Sequence, residues 1–401
     1  MYLQHLSLTN FRNYARLEID LQPRVYVLQG ENAQGKTNLL EAIYYLATTK
    51  SSLASSDRQL VNWNAKDEVI PYGRVEGLFT RGDRQHTVEV TLMLQRRPGE
   101  EMASASLRKQ VRLDGVPRRA MDVLGRLNVV LFLPEDIALV AGAPGERRRY
   151  LDATLCQIDT YYCRSLSRYN RVTTQRNALL KRLRDGQAGP NELAYWDEQL
   201  SQVGAQVLWK RLWASRELGA RAREYQPSLT GSREQLELVY LSTVFSRLDD
   251  AKVLDTVALA AKANVDDLVE PFQKALQLVR REERARGVTV VGPHRDDLRF
   301  VLNGTDATIY GSRGQQRTIA LALKLAEFDV MRDQTGEMPV LLLDDVASEL
   351  DRNRCDFVLG AASRVEQVIL TTTNLGVFGR ELLDKAVRWR VVDGTVSPLK
   401  E

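Results

Sequence analysis

Polar and apolar positions alternate over residues 2–8, with Leu6 and Leu8 on one face, and the pattern returns at Leu17, Ile19 and Leu21. A period of two marks a half-buried strand, and the short apolar run at 25–28 suits a third, more deeply buried one. Val88, Val90, Leu92 and Leu94 repeat the alternation, and Asp114 and Gly115 before Val116 have the chemistry of a hairpin turn. The first third therefore predicts a mixed α/β segment rich in strands. From about Gly145 to Arg286 the spacing becomes helical, as in Trp196, Leu200, Val203 and Val207, or Leu166, Tyr169, Arg176, Leu180 and Leu183. Breakers at 186–190, 227–231 and 271 divide this stretch into several helices. No heptad pattern is sustained, which argues against a long coiled coil. After Gly287 strand patterns return at 288–291, at 298–302 before the Asn303 and Gly304 turn, and at 340–343, 368–371 and 387–392. The two ends resemble each other more than either resembles the middle. One discontinuous α/β domain from 1–140 and 287–401, interrupted by a helical lobe at 141–286, accounts for this order.

Length and composition narrow the class. At roughly 150 residues per domain, 401 residues predict two or three structural units. With 44% hydrophobic and 27% charged residues the chain has an ordinary globular composition, which excludes wholesale disorder and collagen-like repeats. The net charge of +4 is small but uneven, being +2 over 1–140, +6 over 141–190 and −4 over 191–401. The basic block interleaves Arg147, Arg148, Arg149, Arg164, Arg168, Arg171, Arg176, Lys181, Arg182 and Arg184 with Tyr161, Tyr162 and Tyr169. Such a block fits a phosphate-backbone footprint, for which Arg164, Arg168, Arg171 and Lys181 are the candidates, or equally a solvated helix face. Cys156, Cys163 and Cys355 make no disulfide framework or metal-ligand spacing, so a reducing cytoplasm is the simplest setting. Neither a signal peptide nor an apolar run of about 18 residues is present, so no membrane is expected.

Gly30, Glu31, Asn32, Ala33, Gln34, Gly35, Lys36 and Thr37 fit the pattern G-x-x-x-x-G-K-[ST], between the apolar run at 25–28 and a helical pattern containing Leu39, Leu40, Ile43 and Leu46. Glycines let backbone amides close around phosphate oxygens, Lys36 reaches the β- and γ-phosphates, and the Thr37 hydroxyl can bind Mg²⁺. Such a loop needs a carboxylate on a neighbouring strand. Val340, Leu341, Leu342 and Leu343, followed by Asp344 and Asp345, supply it: Asp344 to hold the metal and Asp345 to polarise the attacking water. Between them, Ser312, Arg313, Gly314, Gln315, Gln316 and Arg317 precede an apolar helix and form a second anion-binding terminus or an ordinary cap. His294 is one of three histidines, and none stands in a nucleophile pattern, which favours packing or hydrogen bonding over catalysis.

In order, the glycine loop, the Ser312 to Arg317 segment, the strand ending in Asp344 and Asp345, and the following Ala347, Ser348, Glu349, Leu350 and Asp351 resemble the Walker A, signature, Walker B and D-loop motifs of ABC-type ATPases. The resemblance narrows to the RecF family, related to SMC heads but without their coiled coil. It rests on the opening from Leu6 to Tyr14, on Gly145 to Asp152 (GERRRYLD) and on Gly292 to Leu298 (GPHRDDL). It implies an ABC-type, SMC-head-like P-loop ATPase lobe with an inserted, mainly helical lobe. It further implies ATP and Mg²⁺ as cofactors, Arg12 within the nucleotide set, and Ser312 and Gly314 acting in trans across an ATP-dependent homodimer. Gapped or junction DNA, and RecO and RecR in loading RecA, are the implied partners. Three departures matter: Asp345 stands where Glu is usual, Thr371, Thr372, Thr373 and Asn374 replace a switch histidine, and 132–136 lacks a Q-loop glutamine. Without that histidine slow hydrolysis is expected, and the resemblance implies that DNA stimulates it. A nucleotide-gated clamp or scaffold with negligible turnover, and a transporter's ATP-binding subunit, are the rival readings.

Overall fold

The computed structural model describes residues 1–67, 71–95, 105–231, 233–248, 264–346, 350, 352–362 and 365–399. They form two compact units, one from Met1–Asp136 with Glu327–Glu401 and one from Ile137–Ala326.

The first unit holds two six-stranded sheets. One is an antiparallel series in the order Tyr14–Asp20, Tyr2–Phe11, Tyr72–Arg81, Arg84–Gln95, Ser106–Leu113 and Val116–Arg118. Its strands bury alternate residues, as a sheet with one covered face must. Asp114 and Gly115 make the expected tight turn, both at positive φ (52° and 77°). The other sheet runs Thr395–Pro398, Val387–Val392, Val25–Gln29, Val368–Thr372, Val340–Leu343 and Val129–Phe132, parallel except at the Thr395–Pro398 edge. Every residue of Val340–Leu343 and Val368–Thr372 is buried, because both faces of these strands are covered. The helix Lys36–Thr48 packs against strands of both sheets and is buried on most sides through Leu39, Leu40, Ala42, Ile43 and Leu46.

The second unit packs the helices Thr160–Arg184, Leu193–Thr230 and Val269–Arg286 together. A small antiparallel sheet in the order Thr305–Asp306, Asp297–Leu302 and Leu236–Leu241 belongs to the same unit. Pro227 lies within its long helix, which ends instead at Gly231 with φ 67°.

Two expectations are corrected here. The helical unit does not end at 286 but extends to Ala326, because strand Asp297–Leu302 pairs with Leu236–Leu241 inside it. Residues 288–291 form no strand, since side chains capture the local donors: Thr289 N–H goes to Asn177 Oδ1 (2.7 Å), Val290 N–H to Glu283 Oε1 (2.9 Å) and Gly292 N–H to Thr243 Oγ1 (2.9 Å). Arg176 drives part of this arrangement. It is fully buried and donates to Asp197, Thr289 and Glu283 at 2.9, 2.8 and 2.6 Å. An arginine on an apolar helical stripe is thus an interior ion-pair centre and not part of a phosphate footprint.

Candidate nucleotide site

Parallel pairing places strand Val368–Thr372 between Val25–Gln29 and Val340–Leu343, so the carboxyl ends of all three lie along one edge of the sheet. Ligands bind at that edge in open α/β sheets. After Gln29 the chain turns through the glycine loop into Lys36–Thr48, with Ala33 at φ 64° and Gly35 at φ 112°. A Cβ on Gly30 would lie 2.4 Å from Val391 O, so only glycine fits there. Glu31, Asn32 and Ala33 are exposed, whereas Gly35 and Lys36 are buried.

The Lys36 ammonium is folded onto its own loop, donating to Gly30 O at 2.7 Å and Glu31 O at 2.8 Å. Burial lowers its pKa, against the opposing pull of Asp345 and Asp344. Thr37 Oγ1 donates to Asp344 Oδ2 at 2.8 Å, which joins the two distant motifs directly. Thr371 Oγ1 donates to Asp344 Oδ1 at 2.6 Å and accepts from the Asp345 N–H at 2.9 Å. Asp345 takes φ 45°, a left-handed conformation that turns the chain sharply as it leaves the strand. Burial raises the pKa of Asp344, the charges of Asp345 and Glu135 add to the rise, and the two hydroxyl bonds oppose it. Among the described residues no group of three or more His, Cys, Asp or Glu side chains could hold a metal ion by itself, so the buried Asp344 carboxylate and the Thr37 hydroxyl suit only a hard divalent cation that brings its remaining oxygens from water and phosphate.

Thr371 had no role in the sequence pattern beyond replacing a histidine, yet it orients both acids. Asn13, Tyr14 and Asn38 are also contributors that spacing alone does not reveal: Asn13 Nδ2 donates to Gln34 O (3.0 Å), Asn38 Nδ2 to Asn13 Oδ1 (2.8 Å) and Tyr14 Oη to Gly35 O (2.9 Å). Arg12 is engaged on the same helix. Its guanidinium forms a bidentate pair with the buried Glu41 at 2.7 and 2.8 Å and also reaches Gln59 O.

Ser312, Gly314 and the basic candidates of Thr160–Arg184 belong to the other unit. Ser312 and Gly314 are exposed at the start of helix Arg313–Thr335. Ser312 Oγ accepts from the Gln315 N–H (3.3 Å) while Gln315 Oε1 accepts from the Ser312 N–H (2.9 Å), a reciprocal capping box. The D-loop residues Ala347, Ser348, Glu349 and Asp351 lie outside the described residues. On Thr160–Arg184, Arg164, Arg168 and Arg171 are exposed at i, i+4 and i+7. Lys181 is exposed too, but at about 100° per residue it falls well to one side of that stripe, and Arg182 continues it. Arg147 is buried against Asp297, and Arg148 donates to Asp296 O, so neither is free for a ligand. His294 Nε2 donates to Thr289 O (3.1 Å), and Nδ1 lies 2.7 Å from Tyr169 Oη, a hydroxyl that can donate to the neutral ring. Burial above all pulls its pKa down to about 4.

The sequence matches the RecF/RecN/SMC N terminal domain family over residues 2–397. Relatives named DNA replication and repair protein RecF include one from Chloroflexus aggregans, 44% identical over 98% of this chain and 99% of the relative, and one from Roseiflexus castenholzii, 44% identical over 99% and 100%. The chain belongs to the RecF family. A solved RecF structure described as the recombination mediator protein RecF-ATP in the RecFOR pathway superposes with a TM-score of 0.84 at 31% identity, covering 100% of this chain and 98% of that one. The Smc head domain of Pyrococcus furiosus, at 15% identity and a TM-score of 0.53 over 99% and 96%, shares the fold alone. The RecF architecture is thus an SMC-head-like, ABC-type ATPase fold. Among the described residues no helix is long and apolar enough to cross a membrane.

Proposed function

We propose that this RecF-family chain binds Mg-ATP at the Lys36 loop, dimerises on it and holds gapped or junction DNA, acting in the cytoplasm with RecO and RecR to load RecA. The observation that carries the reading is the Thr37 to Asp344 hydrogen bond, which unites a phosphate loop with a metal carboxylate across most of the sequence. The RecF-ATP relative, described within the RecFOR pathway, supports the same ligand and the same process.

In this reading Lys36 leaves its loop carbonyls to meet the β- and γ-phosphates, and the N–H groups at the head of its helix receive phosphate oxygens. Thr37 and Asp344 hold Mg²⁺, whose chemistry when bound is to neutralise charge on the transferring phosphoryl group. Asp345 orients the attacking water. It is one methylene shorter than the usual glutamate, so hydrolysis is slow and the ATP-bound dimer persists. Ser312 and Gly314 of one copy complete the site of the other, and Arg12 exchanges Glu41 for nucleotide. Arg164, Arg168 and Arg171, with Lys181 at their side, track the DNA backbone.

Light scattering with Mg-ATP, with ADP and without nucleotide tests this directly. Dimers should form with ATP alone, and Lys36→Ala should stay monomeric throughout. A molar mass independent of nucleotide would refute the reading. Phosphate release measured with and without gapped DNA separates a slow ATPase from a scaffold without turnover.

A further inference from the structure

The shape of the phosphate loop is imposed from outside its own motif. Gln34 O accepts from Asn13 Nδ2 at 3.0 Å and from the Gly394 N–H at 3.0 Å, while Gln34 Oε1 accepts from the Asp393 N–H at 2.7 Å. The next carbonyl, Gly35 O, accepts from Tyr14 Oη at 2.9 Å and from the Leu39 N–H at 3.0 Å. Asn38 in turn holds Asn13 Oδ1 at 2.8 Å. In a planar trans peptide the N–H points opposite to the C=O. Pinning Gln34 O and Gly35 O therefore fixes the directions of the Gly35 and Lys36 amides, which open the loop helix.

Asp393 and Gly394 form the tight turn between strands Val387–Val392 and Thr395–Pro398, with φ 46° and 70°. This hairpin touches both ends of the loop. A Cβ on Gly394 would lie 2.4 Å from Asn13 O, and one on Gly30 would lie 2.4 Å from Val391 O. Tolerances this small leave the loop little room to shift unless the hairpin shifts too.

We infer that the C-terminal hairpin, together with Asn13 and Tyr14, is the positioning element of the phosphate loop, presetting two backbone amides for the phosphates before nucleotide arrives. Oriented successive amides make an anion-binding concavity without any side-chain charge. The energetic consequence is that binding does not have to order the loop, so residues that never touch the ligand set its affinity. Asn13, Tyr14 and Gly394 are positioning residues in this scheme, and Lys36 remains the phosphate contact. The inference rests on the assignment of the Lys36 loop to ATP.

The test is equilibrium binding of a fluorescent ATP analogue with Mg²⁺ to the full chain, alongside thermal unfolding without nucleotide. Asn13→Ala and Tyr14→Phe each remove a hydrogen bond to a loop carbonyl and should raise Kd about five- to tenfold. Turnover at saturating ATP should change much less, with KM rising in step with Kd. Gly394→Ala forces a side chain against Asn13 and should weaken binding further. Should that variant fail to fold, the other two carry the test. Wild-type Kd in Asn13→Ala and Tyr14→Phe, while Lys36→Ala has lost binding, overturns the positioning role and leaves the ATP site standing. Wild-type Kd in Lys36→Ala overturns both. A merely structural role would lower the melting temperature without moving the Kd of the folded protein, and that result also counts against the inference.

Discussion

His294 lies within the GPHRDDL segment and is held neutral chiefly by burial, so its titration has a calculable effect on stability. Nδ1 accepts from Tyr169 Oη and Nε2 donates to Thr289 O, and protonation would place a second N–H against the tyrosine oxygen in a buried site. Its pKa is about 4 in the folded chain, against an ordinary 6.5. Because the folded value is the lower one, the unfolded state binds the proton first as pH falls. The stabilisation is complete above 6.5 and is lost progressively from there down through about 4. Between pH 7 and pH 5 the loss from this residue amounts to about 2 kcal/mol, and the full span to about 3 kcal/mol. His294→Asn removes the titrating ring. The difference in unfolding free energy between wild type and His294→Asn, measured by urea denaturation, should therefore shrink by about 2 kcal/mol on going from pH 7 to pH 5. Groups that titrate alike in both proteins cancel in that difference. With only three histidines in the chain, proton NMR of the ring C–H signals gives an independent check. The signal missing from His294→Asn should titrate near 4 in the wild type. His5, where the carboxylates of Asp20 and Glu18 outweigh the effect of burial, should titrate above 6.5. A midpoint of 6 or higher for the His294 signal would refute the reasoning and reopen an acid–base role for this residue.

Three further outcomes bear on function. Asp345→Asn should keep ATP binding, since Thr37 and Asp344 remain, yet reduce phosphate release by at least about tenfold and lengthen dimer lifetime in size-exclusion chromatography; turnover near wild type would place the water-orienting group elsewhere. Ser312→Arg should bind ATP as a monomer but give no dimer by light scattering, and an intact ATP dimer would reduce Ser312 to the helix cap it forms with Gln315. Arg168 and Arg171 are both exposed and meet no carboxylate among the described residues, so replacing both with Gln should weaken DNA binding across sequences. The slope of log affinity against log salt should also flatten by about 2 units per protomer; an unchanged slope with unchanged affinity would mean that this helix face is only solvated.

Much of the candidate nucleotide site was legible in one dimension because the chemistry proposed for it is carried by residues that must be consecutive. Gly30 to Thr37 build a loop from adjacent backbone amides, and Val340 to Asp345 present an acid at the end of a strand buried on both faces. Local spacing dictates both, and the structure brings them to hydrogen-bond contact as Thr37 and Asp344. Alternation and helical periods likewise marked the first sheet and the long helices, since burial on one face imposes its period on the sequence. What tertiary structure alone decided are the partners that arrive from far along the chain. Thr371 reads as a strand residue and becomes the bridge between two acids, and Gly394, which no sequence pattern singles out, becomes a support for the candidate phosphate loop. Val288 to Val291 have a strand's composition, yet Asn177, Glu283 and Thr243 take the backbone donors that a neighbouring strand would need. Arg176 and Arg164 carry the same charge on the same helix. The first is enclosed by Asp197 and Glu283 and the second is exposed, because a residue's charge is written in its identity whereas its desolvation depends on which distant segments pack over it.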